Sequence, residues 1–297
     1  MRCRSIVLVA FLLSSVGRAE TVYRVPVVAA IRSIDGGQSP TDVTVVTSWS
    51  SSTSLFNGGP GQGRFRYVGF LGGGASLSGE PYCSPAADHS IGPGAGQGLS
   101  HCVATPLAGS GVGFLLLETS GPISVHASIS YLKQVCNCAS LDCTPIPQGR
   151  SLLPVFPSVF PAGSVVVAGE VDLGRVPIPA GCGAAIERYP RRVNVTLLNE
   201  GVVPASFLVR VLPYKGGSEA LLEQTVVVPA RDVLQVNRLP LDLNAISAVQ
   251  GSVAADGGVR VWIEISADQP FLAYASTVFD DGAPDSMPFE IYPPFAR

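Results

Sequence analysis

Cys83, Cys102, Cys136, Cys138, Cys143 and Cys182 are the side chains best equipped for chemistry in this chain, and their spacing separates two uses of sulfur. Zinc-binding thiolates usually come as paired Cys-x2-Cys knuckles, and Cys136-x-Cys138-x4-Cys143 is not one. The chain has seven cysteines; with Cys3 removed in an expected signal peptide over residues 1–19, the even set of six in an exported chain reads as a disulfide framework with 15 connectivities open. Parity narrows that number. Every cysteine except Cys182 precedes a boundary drawn between Cys143 and Cys182, so full intramolecular oxidation needs a bridge from Cys182 back to the first half. The expected partner lies in the segment from Cys136 to Cys143, with Cys83–Cys102 closing a Gly-rich excursion. Each bridge stabilises by about 2–4 kcal/mol through the unfolded chain.

Other catalytic chemistry has little to work with. The imidazoles are His89, His101 and His126. Asp88-His89-Ser90 sets the residue types of a triad side by side, but a triad is assembled from separated segments, and no Gly-x-Ser-x-Gly elbow occurs. Cys83, His89, His101 and Cys102 are metal-ligating types, yet adjacent His101 and Cys102 would point to opposite faces of a strand. Asp280, Asp281, Asp285 and Glu290 crowd the last hairpin, where a solvated turn outranks calcium and calcium outranks a glycosidase pair. The glycine runs at 58–63 and 92–98 lack the Lys-Ser or Lys-Thr of a phosphate cradle and read as flexible loops. Asn194-Val195-Thr196 is a formal glycosylation sequon set inside a strand pattern. A glycan-binding surface would need an exposed aromatic platform, for which Trp49, Tyr67, Tyr82 and Trp262 are the candidate contact residues. No catalytic residue, metal or cofactor is expected.

The elements that would position these residues read as strands. Over residues 259–265 the odd positions are aliphatic and the even ones are Arg260, Trp262 and Glu264, the period of two of a half-buried strand. Residues 193–197 and 207–211 alternate similarly. Further strands are expected at 42–49, 63–71, 112–118, 123–133, 165–168, 225–228, 233–236, 271–279 and 289–292. Turn signals between them point to antiparallel β-sandwiches. Residues 241–249 form at best a short helical turn. The stretch 71–111 is a long connection of the functional or disordered kind. Pro145, Pro147, Pro154, Pro157 and Pro161 mark a stiff junction near Pro157.

The chain also repeats. Residues 121–128 return at 269–276, 24–27 at 175–178 and 43–47 at 195–199, offsets of 148, 151 and 152. The expected organisation is a signal peptide over 1–19, a first sandwich over 20–157 and a second over 158–297. Arg2 and Arg4, the apolar run at 6–13 and Gly17-Arg18-Ala19 form the signal pattern. The apolar run is shorter than the roughly 20 residues of a membrane span. Removing Arg2, Arg4 and Arg18 leaves 16 basic against 22 acidic residues, a net charge near −6, which argues against nucleic acid or anionic membrane. Charged residues are only 14% of the chain. That points either to a large core or to apolar surface covered by a partner.

The tail Pro270-Phe271-Leu272-Ala273-Tyr274-Ala275-Ser276-Thr277-Val278-Phe279-Asp280, followed by Asp285, resembles the end of immunoglobulin-like β-sandwich repeats in secreted bacterial proteins. The resemblance is clearest over residues 193–295. It implies an all-β chain of two tandem antiparallel immunoglobulin-like sandwiches in an exported setting (secreted, periplasmic or at the cell surface), and it brings no active site with it. The expected function is a non-enzymatic structural, adhesion or binding protein, self-assembling or meeting other proteins or glycans. The N-terminal segment 21–31 would serve as the first strand of its own domain or as an added strand on a neighbour's sheet. The alternative is a secreted hydrolase or carbohydrate-binding protein with its site in the long loops of the first domain.

Overall fold

The structure is a computed structural model that describes residues 20–28, 31–35, 43–72, 88–99, 112–137, 142–175, 192–215, 219–236, 239, 258–278, 284–288 and 290–291. The first half contributes β1 (Thr21–Val28), β2 (Ile31–Asp35), β3 (Val43–Asn57), β4 (Gly63–Leu71), β5 (His89–Ile91), β6 (Gly96–Gly98), β7 (Val112–Ser120), β8 (Ile123–Asn137) and β9 (Asp142–Leu153). The second contributes β10 (Val165–Arg175), β11 (Arg192–Asn199), β12 (Ala205–Pro213), β13 (Leu222–Val228), β14 (Val233–Val236), β15 (Gly258–Ala267), β16 (Phe271–Val278), β17 (Pro284–Pro288) and β18 (Glu290–Ile291). Alternation is the cause. In β12, Ala205, Phe207, Val209, Val211 and Pro213 are buried and every residue between them is more exposed. No helix occurs among the described residues.

All strand pairs are antiparallel, and the two halves use one strand order. The first half has sheets β1-β7-β4-β5 and β2-β3-β8-β9, with β6 on the free side of β3 near its end. The second has β10-β15-β12-β13, extended by β18, and β14-β11-β16-β17. Reading β10 for β1, β15 for β7, β12 for β4, β13 for β5, β11 for β3, β16 for β8, β17 for β9 and β14 for β6 matches the two sets, with β2 and β18 left without a counterpart. In each half the two sheets face each other across an apolar cluster, an arrangement that fits a β-sandwich.

The same buried asparagine closes both. At the end of β3, Asn57 Nδ2 donates to the carbonyls of Gly61 (2.8 Å), Ile91 (2.9 Å) and Gly92 (3.2 Å), while its Oδ1 accepts from Gly59 N–H. At the end of β11, Asn199 Nδ2 donates to the carbonyls of Val203 (2.8 Å), Val228 (3.1 Å) and Pro229 (3.0 Å), and its Oδ1 accepts from Gly201 N–H. Each amide thus ties its own strand end to the next turn and to the end of β5 or β13. Glycine is required two residues on. A methyl at Gly59 would overlap Pro122, and one at Gly201 would lie 2.9 Å from Gln269 Oε1.

The halves are packed against each other. The chain passes between them at 157–159, where Phe156 pairs with Arg24 on one side and Phe160 with Phe271 on the other. Sheet β14-β11-β16-β17 turns Val195, Leu197, Ala273 and Ala275 to its own core. The intervening Leu198, Leu272 and Tyr274, with Val233, bury against the first half and join its core cluster with Leu71, Phe114 and Phe156. The Tyr274 ring stands edge-on to Phe114 at 6.2 Å. Gly72 (φ 106°) lets this approach happen, since a Cβ there would sit 2.9 Å from Val233. Burial of Leu198, Leu272 and Val233 stabilises the seam by about 1.5–3 kcal/mol each. At its rim Arg24 grips Glu200 with two parallel bonds, Nη2–Oε1 2.6 Å and Nε–Oε2 3.0 Å. Sheet β1-β7-β4-β5 therefore lies between its own partner sheet and the second half. The β8–β9 hairpin also runs beside β17.

Three expectations change, and for one segment the structure agrees with the first of two stated alternatives. Pro145 and Pro147 belong to strand β9, opposite Gln134 and Leu132, and not to a linker. Proline is tolerated there because β9 is an edge strand. The glycine runs are ordered turns: 58–62 wraps the Asn57 amide, and 92–98 makes a tight turn into β6, which pairs with β3. Segment 21–28 pairs with β7 along its length, so it is occupied inside its own half. Only the 148 offset agrees with the strand registers: Ser54 opposite His126 matches Thr196 opposite Tyr274, so β11 corresponds to the end of β3 (residues 50–57) and not to 43–47. Residues 24–27 likewise match the start of β10, because Val25 and Ala168 take corresponding places opposite Leu115 and Ile263.

Candidate functional site

Each half has two outward sheet faces. The front is the outer face of the sheet containing β3 and β8, or β11 and β16. The rear is the outer face of the sheet containing β4 and β7, or β12 and β15. The seam joins the second half's front to the first half's rear. Among the described residues, the first half's front and the second half's rear lie outside the seam.

The remaining front is a serine-rich ladder. Ser52 lies opposite Ser128, Ser54 opposite His126 and Phe56 opposite Ser124, with Gly96 and Gly98 flanking Phe56 and Ser54. Ser52 and Ser128 share a hydroxyl hydrogen bond of 2.9 Å. Ser54, Ser124 and His126 are exposed, and Phe56 stands out as a large apolar ring at 45% exposure. By register, Phe56 occupies the place of Leu198, His126 that of Tyr274 and Ser124 that of Leu272.

The remaining rear centres on Trp262, opposite Leu212, which hold the places of Phe114 and Leu71. Trp262 is half-buried, and its indole N–H donates to Tyr214 O at 2.9 Å. Arg260 and Lys215 approach the Tyr214 ring at 5.8 and 5.7 Å, within the range of cation–π attraction. Alongside, Arg210 bonds Glu264 (2.8 Å) and Glu223 (3.2 Å) across three strands. The hydrogen bond that Arg210 donates to Glu264 is the largest cause of its raised pKa.

A charged depression of about 120 Å³ lies at the end of the first half's rear, lined by Glu20, Arg64, Phe65, Arg66, Asp88, Glu118, Thr119 and Ser120. Arg66 forks onto Glu118 (Nε–Oε1 2.6 Å, Nη2–Oε2 2.9 Å), and this hydrogen bond, then Coulomb attraction, raises the arginine's pKa. His89 stacks on Phe65 at 5.0 Å and meets Tyr67 edge-on. Its Nε2 is closed from solvent and bonded to nothing. His89 is not among the residues that line the depression. Asp88 is exposed.

Of the candidate aromatics, Tyr67 is fully buried in the core cluster, so it cannot belong to an exposed platform. Trp262 is on the rear face, the backbone of Trp49 lies in β3 opposite Tyr131, and Tyr82 falls outside the described residues. Cys136 and Cys143 occupy directly opposite register positions in the β8–β9 hairpin. Cys83, Cys102, Cys138 and Cys182 lie outside the described residues, as do His101, Asp280, Asp281 and the segment 241–249. Asp285 pairs within one sheet and Glu290 within another, so the strand pairing does not set these two acids side by side. Asn194 is buried, which removes the sequon from reach of modification. Sequence reading missed the two asparagine clamps and the Arg24–Glu200 fork. The Asn-x-Gly triplets at 57–59 and 199–201 were a visible signal for the former, whereas nothing local announced the latter. Comparison with protein-family models, with curated proteins and with solved structures gives no match.

Proposed function

We propose that the protein is an exported, disulfide-bonded, non-catalytic scaffold: two immunoglobulin-like β-sandwiches in tandem that present sheet faces to proteins or glycans at the cell surface. The observation that carries this reading is the seam. A buried apolar contact with an arginine–glutamate fork holds the second front on the first rear, so the remaining faces are displayed at a fixed mutual geometry. The common strand order and the twin asparagine clamps support descent from one sandwich unit. The signal pattern and the even cysteine set support an oxidising destination.

Small-angle scattering of the oxidised protein tests it. The wild type is expected to scatter as one rigid body. Leu272→Glu puts a carboxylate into the seam and is expected to raise the radius of gyration while far-UV circular dichroism keeps its β signal. Wild-type scattering that fits only freely hinged halves would remove the basis of the reading. Protein recovered from outside the cytosol is expected to begin at Glu20 by intact mass.

A further inference from the structure

The seam has a second use. Since the two halves share one strand order, Leu198, Leu272, Tyr274, Val233, Leu71 and Phe114 of the internal joint each have a register counterpart on one of the two outward faces that lie outside the joint. We propose that a second copy of this chain docks head to tail on the first, its front at Phe56, Ser124 and His126 seating on the rear at Leu212 and Trp262. The inference rests on the scaffold reading and names its partner.

Three observations carry it. First, the internal joint already shows what covers such a rear: the sheet of the next sandwich, laid front-on, with Tyr274 against Phe114 and with Leu198 and Leu71 in the same buried cluster. Second, the outer rear keeps apolar side chains at two central places, Leu212 at that of Leu71 and Trp262 at that of Phe114, with the charged Arg210, Glu264 and Arg260 beside them. Third, the outer front keeps a projecting apolar knob, Phe56, at the place of Leu198, and that ring is left 45% exposed.

The outer joint differs from the inner one in ways that set its strength. Ser124 replaces Leu272, Gly96 replaces Val233, and Val167 and Gly58 stand where Arg24 and Glu200 form their fork. Two aliphatic contacts and an ion pair are gone. The inner joint is also intramolecular, so its partner is always near, whereas the outer one must be won from solution. Association is therefore reversible and concentration-dependent. Because front meets rear and not its like, the contact is heterologous and propagates into open stacks instead of closing as a symmetric dimer.

Light scattering behind size exclusion on the oxidised protein tests this. The wild type is expected to show a mass that rises with concentration past that of a dimer. Phe56→Glu, which blocks the front, and Leu212→Glu, which blocks the rear, are each expected to be monomeric alone. Mixed, they are expected to give dimers and nothing larger, because each keeps one working face. Ser124→Arg and Val167→Glu repeat the test should either first variant fail to fold, with circular dichroism as the check. A wild type that stays monomeric at every concentration overturns the proposal. So does a front-blocked or a rear-blocked variant that still dimerises alone, which marks like-to-like pairing. A rigid monomer in small-angle scattering would sink head-to-tail stacking and leave the scaffold reading standing; hinged halves would sink the scaffold reading itself.

Discussion

Asn57 and Asn199 each tie one strand end to two other segments of the fold. Each is fully buried, and each spends both amide hydrogens and its oxygen on backbone groups that no strand ladder can reach. Replacing Asn199 by Ala leaves a set of buried carbonyls and the Gly201 N–H without the amide. The expected cost is about 2–3 kcal/mol, since unmet buried polar groups are charged their full desolvation. Asn57→Ala should cost a similar amount. Urea unfolding of the two variants measures it, and a change within the roughly 0.5 kcal/mol typical of surface substitutions would show that the clamps are dispensable. An asparagine two residues before a glycine, at the end of an alternating strand, is legible in a sequence. Its acceptors at Ile91 and Val228 are not, because β5 and β13 belong to the sheet opposite the one that carries the asparagine. His126 and Tyr274 show the same limit from another side. They hold corresponding places in their strands, yet one is exposed and the other buried, and only the neighbouring half makes the difference.

Among the elements, strands with clean alternation were readable, and β12 and β15 follow their pattern closely. Where the reading slipped, the period of two was itself responsible. Sliding β11 along β3 by ten residues leaves every apolar side chain on the same face, so hydrophobic similarity cannot detect the error. The prolines of β9 misled for a related reason: they exclude a central strand but say nothing against an edge. Recognising β9 as a strand also sharpens the cysteine problem. Opposite residues of an antiparallel pair have Cα atoms about 4.5 or 5.5 Å apart, and both values lie inside the span of about 4.4–6.8 Å that a disulfide bridges. Cys136 and Cys143 are such a pair. A non-reducing peptide map is expected to find them joined, and with Cys83–Cys102 closed this leaves Cys138 for Cys182 across the halves. A map in which Cys136 is joined to any other cysteine would refute the register argument.

At the scale of the molecule, the low charge has a structural use. Sheets β1-β7-β4-β5 and β14-β11-β16-β17 are covered on both faces around the seam, which takes apolar residues that a single sandwich would have to keep off its surface. Tyr274 makes this arrangement sensitive to alkali. Burial pushes its phenol from an ordinary 10 up to about 12, and a hydrogen bond with Thr196 offsets part of the effect. Between those values the unfolded chain has released a proton that the folded chain still holds. Stability is therefore whole below pH 10 and falls as pH rises toward 12. The expected loss is about 1.4 kcal/mol at pH 11, from the one unit separating that pH from the unfolded phenol. Tyr274→Phe has no proton to lose at this position, so urea unfolding at pH 8 and pH 11 should show the variant losing less than the wild type by that amount. Other tyrosines titrate in both proteins and cancel in the comparison. Equal losses would mean that the phenol reaches water in the folded state, and a seam open enough to hydrate Tyr274 could not hold the two halves as one body.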